Sequence, residues 1–159
     1  MKILIADDDA ISRKVLTMNL KKWGYETVVA KDGTEAWEML EGEAPPRMAI
    51  LDWVMPGIDG LEICRRLRAD ETKRGIYVVL LTGKSDKSFV AQAIEVGVND
   101  YMSKPFDLGE LRIRILSGER VLDLQCGLAD KVEKLQEAKQ KIEKMQSIIG
   151  GNVSIGAKD

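Results

Sequence analysis

Histidine is absent from all 159 residues. Its absence removes Ser-His and Cys-His nucleophilic pairs and the usual zinc-ligand sets. Cysteine is nearly absent. Cys64 and Cys126 lie far apart, without partners at metal-ligand spacing, in helix-like stretches. Two buried thiols in a reducing cytoplasm are therefore expected. No apolar run approaches the roughly 20 residues that cross a bilayer. The opening Met1-Lys2-Ile3-Leu4-Ile5-Ala6 runs straight into three aspartates, which is not the pattern of a signal peptide. A charge excess is also lacking. With 24 Lys+Arg against 26 Asp+Glu, the net charge of -2 offers no electrostatic footprint for nucleic acid, and no basic run suggests a membrane surface. A Gly-rich phosphate loop is missing too, so nucleotide binding is not suggested. What is present is 45% hydrophobic and 31% charged, enough for one compact core plus something extra.

Five short apolar runs alternate with helical patterns. The runs are Lys2 to Ala6, Tyr25 to Ala30, Met48 to Leu51, Ile76 to Leu81 and Asn99 to Ser103. Between the first two, Ala10 to Trp23 carries an apolar stripe of Ile11, Val15 and Met18, widened by Leu16 and Leu20, and Gly24 stops it. Asp32-Gly33-Thr34 opens the next helix, a loop through Met55-Pro56-Gly57 leads into a helix from Leu61 to Ala69, and Ser85 caps one that Gly97 ends. Strands this apolar need cover on both faces, which predicts an α/β fold with a parallel sheet and helices on each side.

In such sheets ligands bind beyond the carboxyl ends of the strands. Four of the five runs end in a residue able to do chemistry: Asp7-Asp8, Asp52, Thr82 and Lys104. Polar residues also mark where any strand meets water, but three acids, a hydroxyl and a lysine on one edge are harder to explain that way. Clustered carboxylates repel unless a cation holds them, and hard oxygen ligands suit Mg²⁺. One carboxylate could then attack a phosphoryl donor while metal and lysine spread the charge. Asp9 reads as an exposed first-turn residue favoured by the helix dipole.

These residues resemble a family. From Lys2 to about Ser117 the chain is similar to response-regulator receiver domains of bacterial two-component signalling, close to the chemotaxis type. The motifs are Ile3-Leu4-Ile5-Ala6-Asp7-Asp8-Asp9, Leu51-Asp52-Trp53-Val54-Met55-Pro56-Gly57-Ile58-Asp59-Gly60, Leu81-Thr82-Gly83 and Lys104-Pro105-Phe106. The resemblance implies a doubly wound, flavodoxin-like sheet in strand order 2-1-3-4-5. It implies a cytoplasmic phosphoprotein that is no enzyme beyond its own phosphorylation and dephosphorylation. Asp52 would accept the phosphoryl group from a histidine kinase or phosphotransfer protein. Asp8, Asp52 and the main-chain carbonyl of Val54 would hold Mg²⁺ or Mn²⁺, with Asp7 acting through a metal-bound water. Lys104 would pair with the phosphoryl group and precede Pro105 through a cis peptide. Thr82 and Tyr101 would form the switch pair, the ring turning inward, and Gly83 would leave access to Asp52. Val54 and Lys84 lie where receivers vary. A haloacid-dehalogenase-like phosphatase, with Asp7 as nucleophile, is the alternative; it leaves Asp52 and Lys104-Pro105 unexplained.

A receiver over 1–118 leaves the rest of the chain to explain. Val121, Leu128, Leu135, Ile142 and Ile149 fall at heptad position a, with Leu124, Lys131, Ala138 and Met145 at d. This predicts a coiled-coil extension of the last helix over 119–149 and a possible homodimer through it. Lys134 at g and Lys139 at e would repel in a parallel in-register pair, so the seam is modest or its partner differs. Asp130–Lys134 and Glu137–Lys141 are the expected intrahelical pairs. Gly150-Gly151 should end the helix, leaving 150–159 as a flexible tail. The extension resembles linkers that join receivers to output domains. Either an output domain is missing from this stretch of chain, or the helix itself carries the signal.

Overall fold

The computed structural model of the protein describes residues 1–83 and 87–155, with side chains through residue 151. Strands and helices alternate: β1 (Lys2–Ala6), α1 (Ala10–Lys22), β2 (Glu26–Ala30), α2 (Gly33–Glu41), β3 (Met48–Asp52), α3 (Gly60–Ala69), β4 (Tyr77–Thr82), α4 (Lys87–Val96), β5 (Asp100–Ser103) and α5 (Leu108–Ile155). The strands form a five-stranded sheet in the order β2-β1-β3-β4-β5. Every pairing is parallel. The expected fold is the observed one.

Strand periodicity explains why the central runs are apolar throughout. In β1, Leu4 packs into a cluster with α2 and α3 residues such as Leu40 and Leu67, while Ile3 and Ile5 join Leu16, Leu111 and Ile115 on the opposite face. Both faces are covered, so alternation of apolar with polar residues disappears. The helices start on side-chain caps. Asp9, Asp32 and Asp59 each accept main-chain N–H bonds at the starts of α1, α2 and α3. Asp9 is therefore an N-cap and not the first-turn residue the sequence suggested. The expected cap Ser85, and Lys84, lie outside the described residues.

Two expectations about burial need correction. Leu16 and Leu20 are the buried pair on α1, whereas Ile11, Val15 and Met18 are exposed at 74%, 37% and 63%. Two apolar stripes overlap on this helix, and the sheet takes the i, i+4 leucine pair. Of the two cysteines, Cys64 is buried but Cys126 is exposed on α5.

The chain divides into two units, Met1–Leu122 and Asp123–Asp159. The first unit runs four residues past the expected boundary at 118. Leu122 is 2% exposed and belongs to the cluster that holds Ile115 and Met102. Its carbonyl accepts from Arg47 Nη2 at 2.9 Å, and Tyr25 donates to Glu119 at 2.9 Å. Gly118 permits this approach, since a Cβ there would sit 2.7 Å from the Tyr77 ring. Leu122→Ala is expected to destabilise the protein by about 2–4 kcal/mol, read from urea unfolding. A loss below about 0.5 kcal/mol, the level of a surface substitution, contradicts the longer boundary.

The second unit is helical to Ile155. Gly150-Gly151 does not end the helix. Glycine terminates a helix by turning left-handed, and the positive-φ glycines among the described residues are Gly24, Gly57 and Gly97. The tail expected over 150–159 is thus helical to 155; residues 156–159 lie outside the described residues. Among the described residues, the ion pair on this stretch is Lys139 to Glu143 at 3.9 Å, not either of the pairs expected from the sequence. No helix among the described residues is long and apolar enough to cross a membrane.

Candidate functional site

The sheet brings three carboxylates to one edge. Asp7 and Asp8 follow β1 directly and Asp52 is the last residue of β3, next to β1 in the sheet. Each offers an oxygen within 4.8 Å of the other two. Asp7 is fully buried, Asp52 nearly so, and Asp8 is exposed. Lys104, just past β5, reaches back over this edge. Its ammonium stands 2.8 Å from Asp7 Oδ2 and 3.1 Å from Asp52 Oδ2. The Lys104-Pro105 peptide is cis, as expected.

Asp7 is tied on both oxygens, because its Oδ1 accepts from the Asp9 amide at 2.9 Å. Arg13 contributes a contact that sequence reasoning missed. From α1 its Nη1 donates to the carbonyls of Asp7 and Asp8 at 2.8 and 2.9 Å, which fixes the backbone of the acidic turn. A cation one helical turn inside α1, after three acids, was the available signal.

The electrostatics follow from this crowding. Burial pushes the Asp52 carboxyl up from 3.8 to about 6; the bond to Lys104 opposes the rise and the charge of Asp7 adds to it. Burial alone would lower the Lys104 ammonium, but its bonds to Asp7 and Asp52 outweigh that and raise it. Asp9 is held below its ordinary value by the Ser12 hydroxyl first, then by main-chain amides.

A raised carboxyl in the folded state has a definite consequence without divalent cations. Between 3.8 and about 6 the folded chain binds more protons at Asp52 than the unfolded chain does. Its contribution to stability is therefore present at low pH and lost as pH rises through that window. The stability of Asp52→Asn relative to wild type, from urea midpoints in chelator, is expected to increase with pH across it. A difference that shrinks with rising pH contradicts the assignment.

The other expected residues lie on or just after β3, β4 and β5. Thr82 ends β4 and is 4% exposed; its carbonyl accepts from the Lys104 amide at 2.7 Å. Since Asp52 pairs with Leu81, Thr82 lies one residue beyond it on the adjacent strand. Tyr101 is on β5 opposite Leu80 and is 38% exposed. Val54 is exposed in the loop after Asp52. Its chain neighbours aside, no described atom stands within 4 Å of where a Cβ on Gly83 would sit. Pro105, with Phe106, Leu108, Ile11 and Val15, lines an apolar groove of about 530 Å³ that also touches Lys104.

The donor set suits a hard divalent cation. All side-chain donors are carboxylate oxygens, and two of them are buried close enough to repel. Such a site favours Mg²⁺ or Mn²⁺ over softer metals.

A profile described as "Response regulator receiver domain" matches residues 3–116. The chain belongs to the response-regulator receiver domain family. Among its relatives, the chemotaxis protein CheY1 of Helicobacter pylori (strain J99) is 38% identical over 107 residues, which cover 67% of this chain and 86% of CheY1. The DNA-binding response regulator MtrA of Mycobacterium tuberculosis (strain H37Rv) is 40% identical over 114 residues, 72% of this chain but 48% of MtrA. This receiver therefore corresponds to about half of MtrA. Among solved structures, the receiver domain of the Francisella response regulator 1452 superposes with a TM-score of 0.69 at 27% identity, covering 78% of this chain and 98% of that one. A structure described as adenylate cyclase from Rhodopirellula baltica gives 0.75 at 25% identity, covering 84% and 97%. The receiver fold and its two-component membership are thus established for residues 3–116.

Proposed function

We propose that this receiver accepts a phosphoryl group on Asp52 from a histidine kinase or phosphotransfer protein and passes the signal to its C-terminal helix. The observation that carries the assignment is the Asp52 carboxylate, set among the Asp7 and Asp8 oxygens and 3.1 Å from the Lys104 ammonium. With its acidity near 6, Asp52 is ionised at neutral pH and available as a nucleophile. Attack by a carboxylate oxygen forms the new P–O bond as the donor P–N bond breaks, and the leaving imidazole takes a proton from solvent. Asp7, Asp8, Asp52 and the Val54 carbonyl would hold Mg²⁺, which supplies charge neutralisation for the incoming phosphoryl oxygens. Lys104 turns from the carboxylates to those oxygens. The groove beside it, with exposed Ile11 and Val15, is an apolar landing surface next to the acceptor and suits the kinase or phosphotransfer protein.

Phosphorylation adds roughly -1.5 to -2 charge at this edge. Thr82 responds by donating its hydroxyl, and Tyr101 follows inward. Thr82→Ala is expected to keep phosphoryl uptake while losing the Tyr101 ring response, read from aromatic NMR shifts on phosphorylation. A normal ring response in that variant would sink the coupling. The chain catalyses only its own phosphoryl gain and loss, as a cytoplasmic signalling protein. A phosphatase of the haloacid-dehalogenase type is not favoured, because Asp7 is buried with both oxygens occupied and the family found is a different one. The direct test is acetyl phosphate with Mg²⁺, read by intact mass. One phosphoryl group should appear with Mg²⁺ and vanish with chelator. No gain, or gain that ignores the chelator, overturns the proposal.

A further inference from the structure

Beyond residue 122 the helix presents an apolar stripe that no described residue of its own unit covers. Leu124, Leu128, Leu135, Ile142, Met145 and Ile149 are each between 55% and 74% exposed. With Leu128 at position a, these residues occupy a and d of successive heptads. Shifting the register so that Leu128 falls at d would put Gln125, Lys139 and Gln146 into the seam, so the first register is the better one.

The charges around the stripe are sorted by sign. The charged residues flanking it are Lys139 at e and Lys134 and Lys141 at g, and Lys131 lies within it at d. The acidic residues Asp123, Asp130, Glu133, Glu137 and Glu143 all fall at b, c or f, on the far side. Glu143 reaches Lys139 along the same helix at 3.9 Å, both side chains remaining well exposed. A second copy cannot complement this pattern. In a parallel pair Lys134 faces Lys139 and Lys131 meets itself across the axis. In an antiparallel pair g faces g, and Lys134 and Lys141 find only lysine, glycine or isoleucine there. Neither orientation supplies a carboxylate to the seam.

We infer that residues 123–149 form a docking surface for a different chain: an amphipathic helix with apolar a and d positions and Glu or Asp at e and g. Such a partner covers the stripe and meets each flanking lysine with an acid. A lipid surface fits less well. Over 123–149 the five acids are matched by five lysines (131, 134, 139, 141 and 144), leaving no net attraction to anionic headgroups. The inference deepens the output reading and rests on it for the helix's role in signalling. The surface itself does not require phosphorylation.

The test uses the unphosphorylated full chain and two designed peptides with Leu and Ile at a and d. One carries Glu at e and g, the other Lys. Fluorescence anisotropy is expected to show the Glu peptide binding about tenfold tighter or more, a gap of about 1.4 kcal/mol. Lys134→Glu with Lys139→Glu and Lys141→Glu should reverse the preference, and Leu135→Asp should abolish binding of both peptides. Sedimentation should show the chain alone as a monomer. Self-association lost in Leu135→Asp, equal or absent binding of the two peptides, or preferential binding to phosphatidylserine vesicles each overturns the proposal. These readouts are independent of Asp52, so their failure leaves phosphoryl uptake standing, and failure of uptake leaves them interpretable.

Discussion

Gly33→Ala is expected to lose about 2–4 kcal/mol of stability, a large effect for one methyl group. A Cβ on Gly33 would lie 1.5 Å from the Ile58 carbonyl oxygen and 2.6 Å from its carbon. The obstacle is backbone, so no rotamer change relieves it. The loop that runs from Asp52 to α3 is pinned at this point, because the Gly33 amide also donates to the Pro56 carbonyl at 3.1 Å. Pushing Ile58 away displaces the segment that carries Val54 and the α3 cap Asp59. At the far end of the loop Gly60 is also tightly packed, since its Cβ would stand 2.4 Å from the Asp52 carbonyl oxygen. The site therefore feels the change as well as the fold. Urea unfolding and Mg²⁺ titration, followed by the emission of Trp53 beside the acceptor, should both shift. Stability within about 0.5 kcal/mol of wild type would show that the loop can move at little cost.

Asp52→Asn should lose phosphoryl uptake altogether while keeping the fold. The amide has nearly the shape of the carboxylate but cannot act as the nucleophile. It also removes one of two close negative charges, which relieves the repulsion between Asp52 and Asp7. In chelator at neutral pH the variant should therefore match or exceed the wild type in stability. Loss of activity together with equal or higher stability separates a functional carboxylate from a structural one. Reduced stability would mean that the Lys104–Asp52 contact outweighs the burial and repulsion set against it.

Much of this was legible from the chain. The β-α alternation and the strand ends follow from short apolar runs bounded by Asp, Thr and Lys, and these placed Asp7, Asp8, Asp52, Thr82 and Lys104 on one edge. The parallel sheet converts that list into a cluster, because neighbouring strands end in register. Features decided by three-dimensional competition were less visible. On α1, periodicity alone could not choose between Leu16 with Leu20 and Ile11 with Val15 and Met18. The reach of the receiver to Leu122 depends on Arg47 and Tyr25, distant in sequence. Arg13 was overlooked because its partners are main-chain carbonyls, which carry no signature in the sequence. Gly150-Gly151 misled because glycine weakens a helix without having to end it.

The central claim is that the chemistry belongs to Asp52, and reduction of the phosphorylated chain tests it most directly. Borohydride converts an aspartyl phosphate to homoserine, which peptide mass spectrometry locates. After treatment with acetyl phosphate and Mg²⁺, homoserine should appear at position 52 and only there. Homoserine at position 7, 8 or 9, or at no position, would contradict the account.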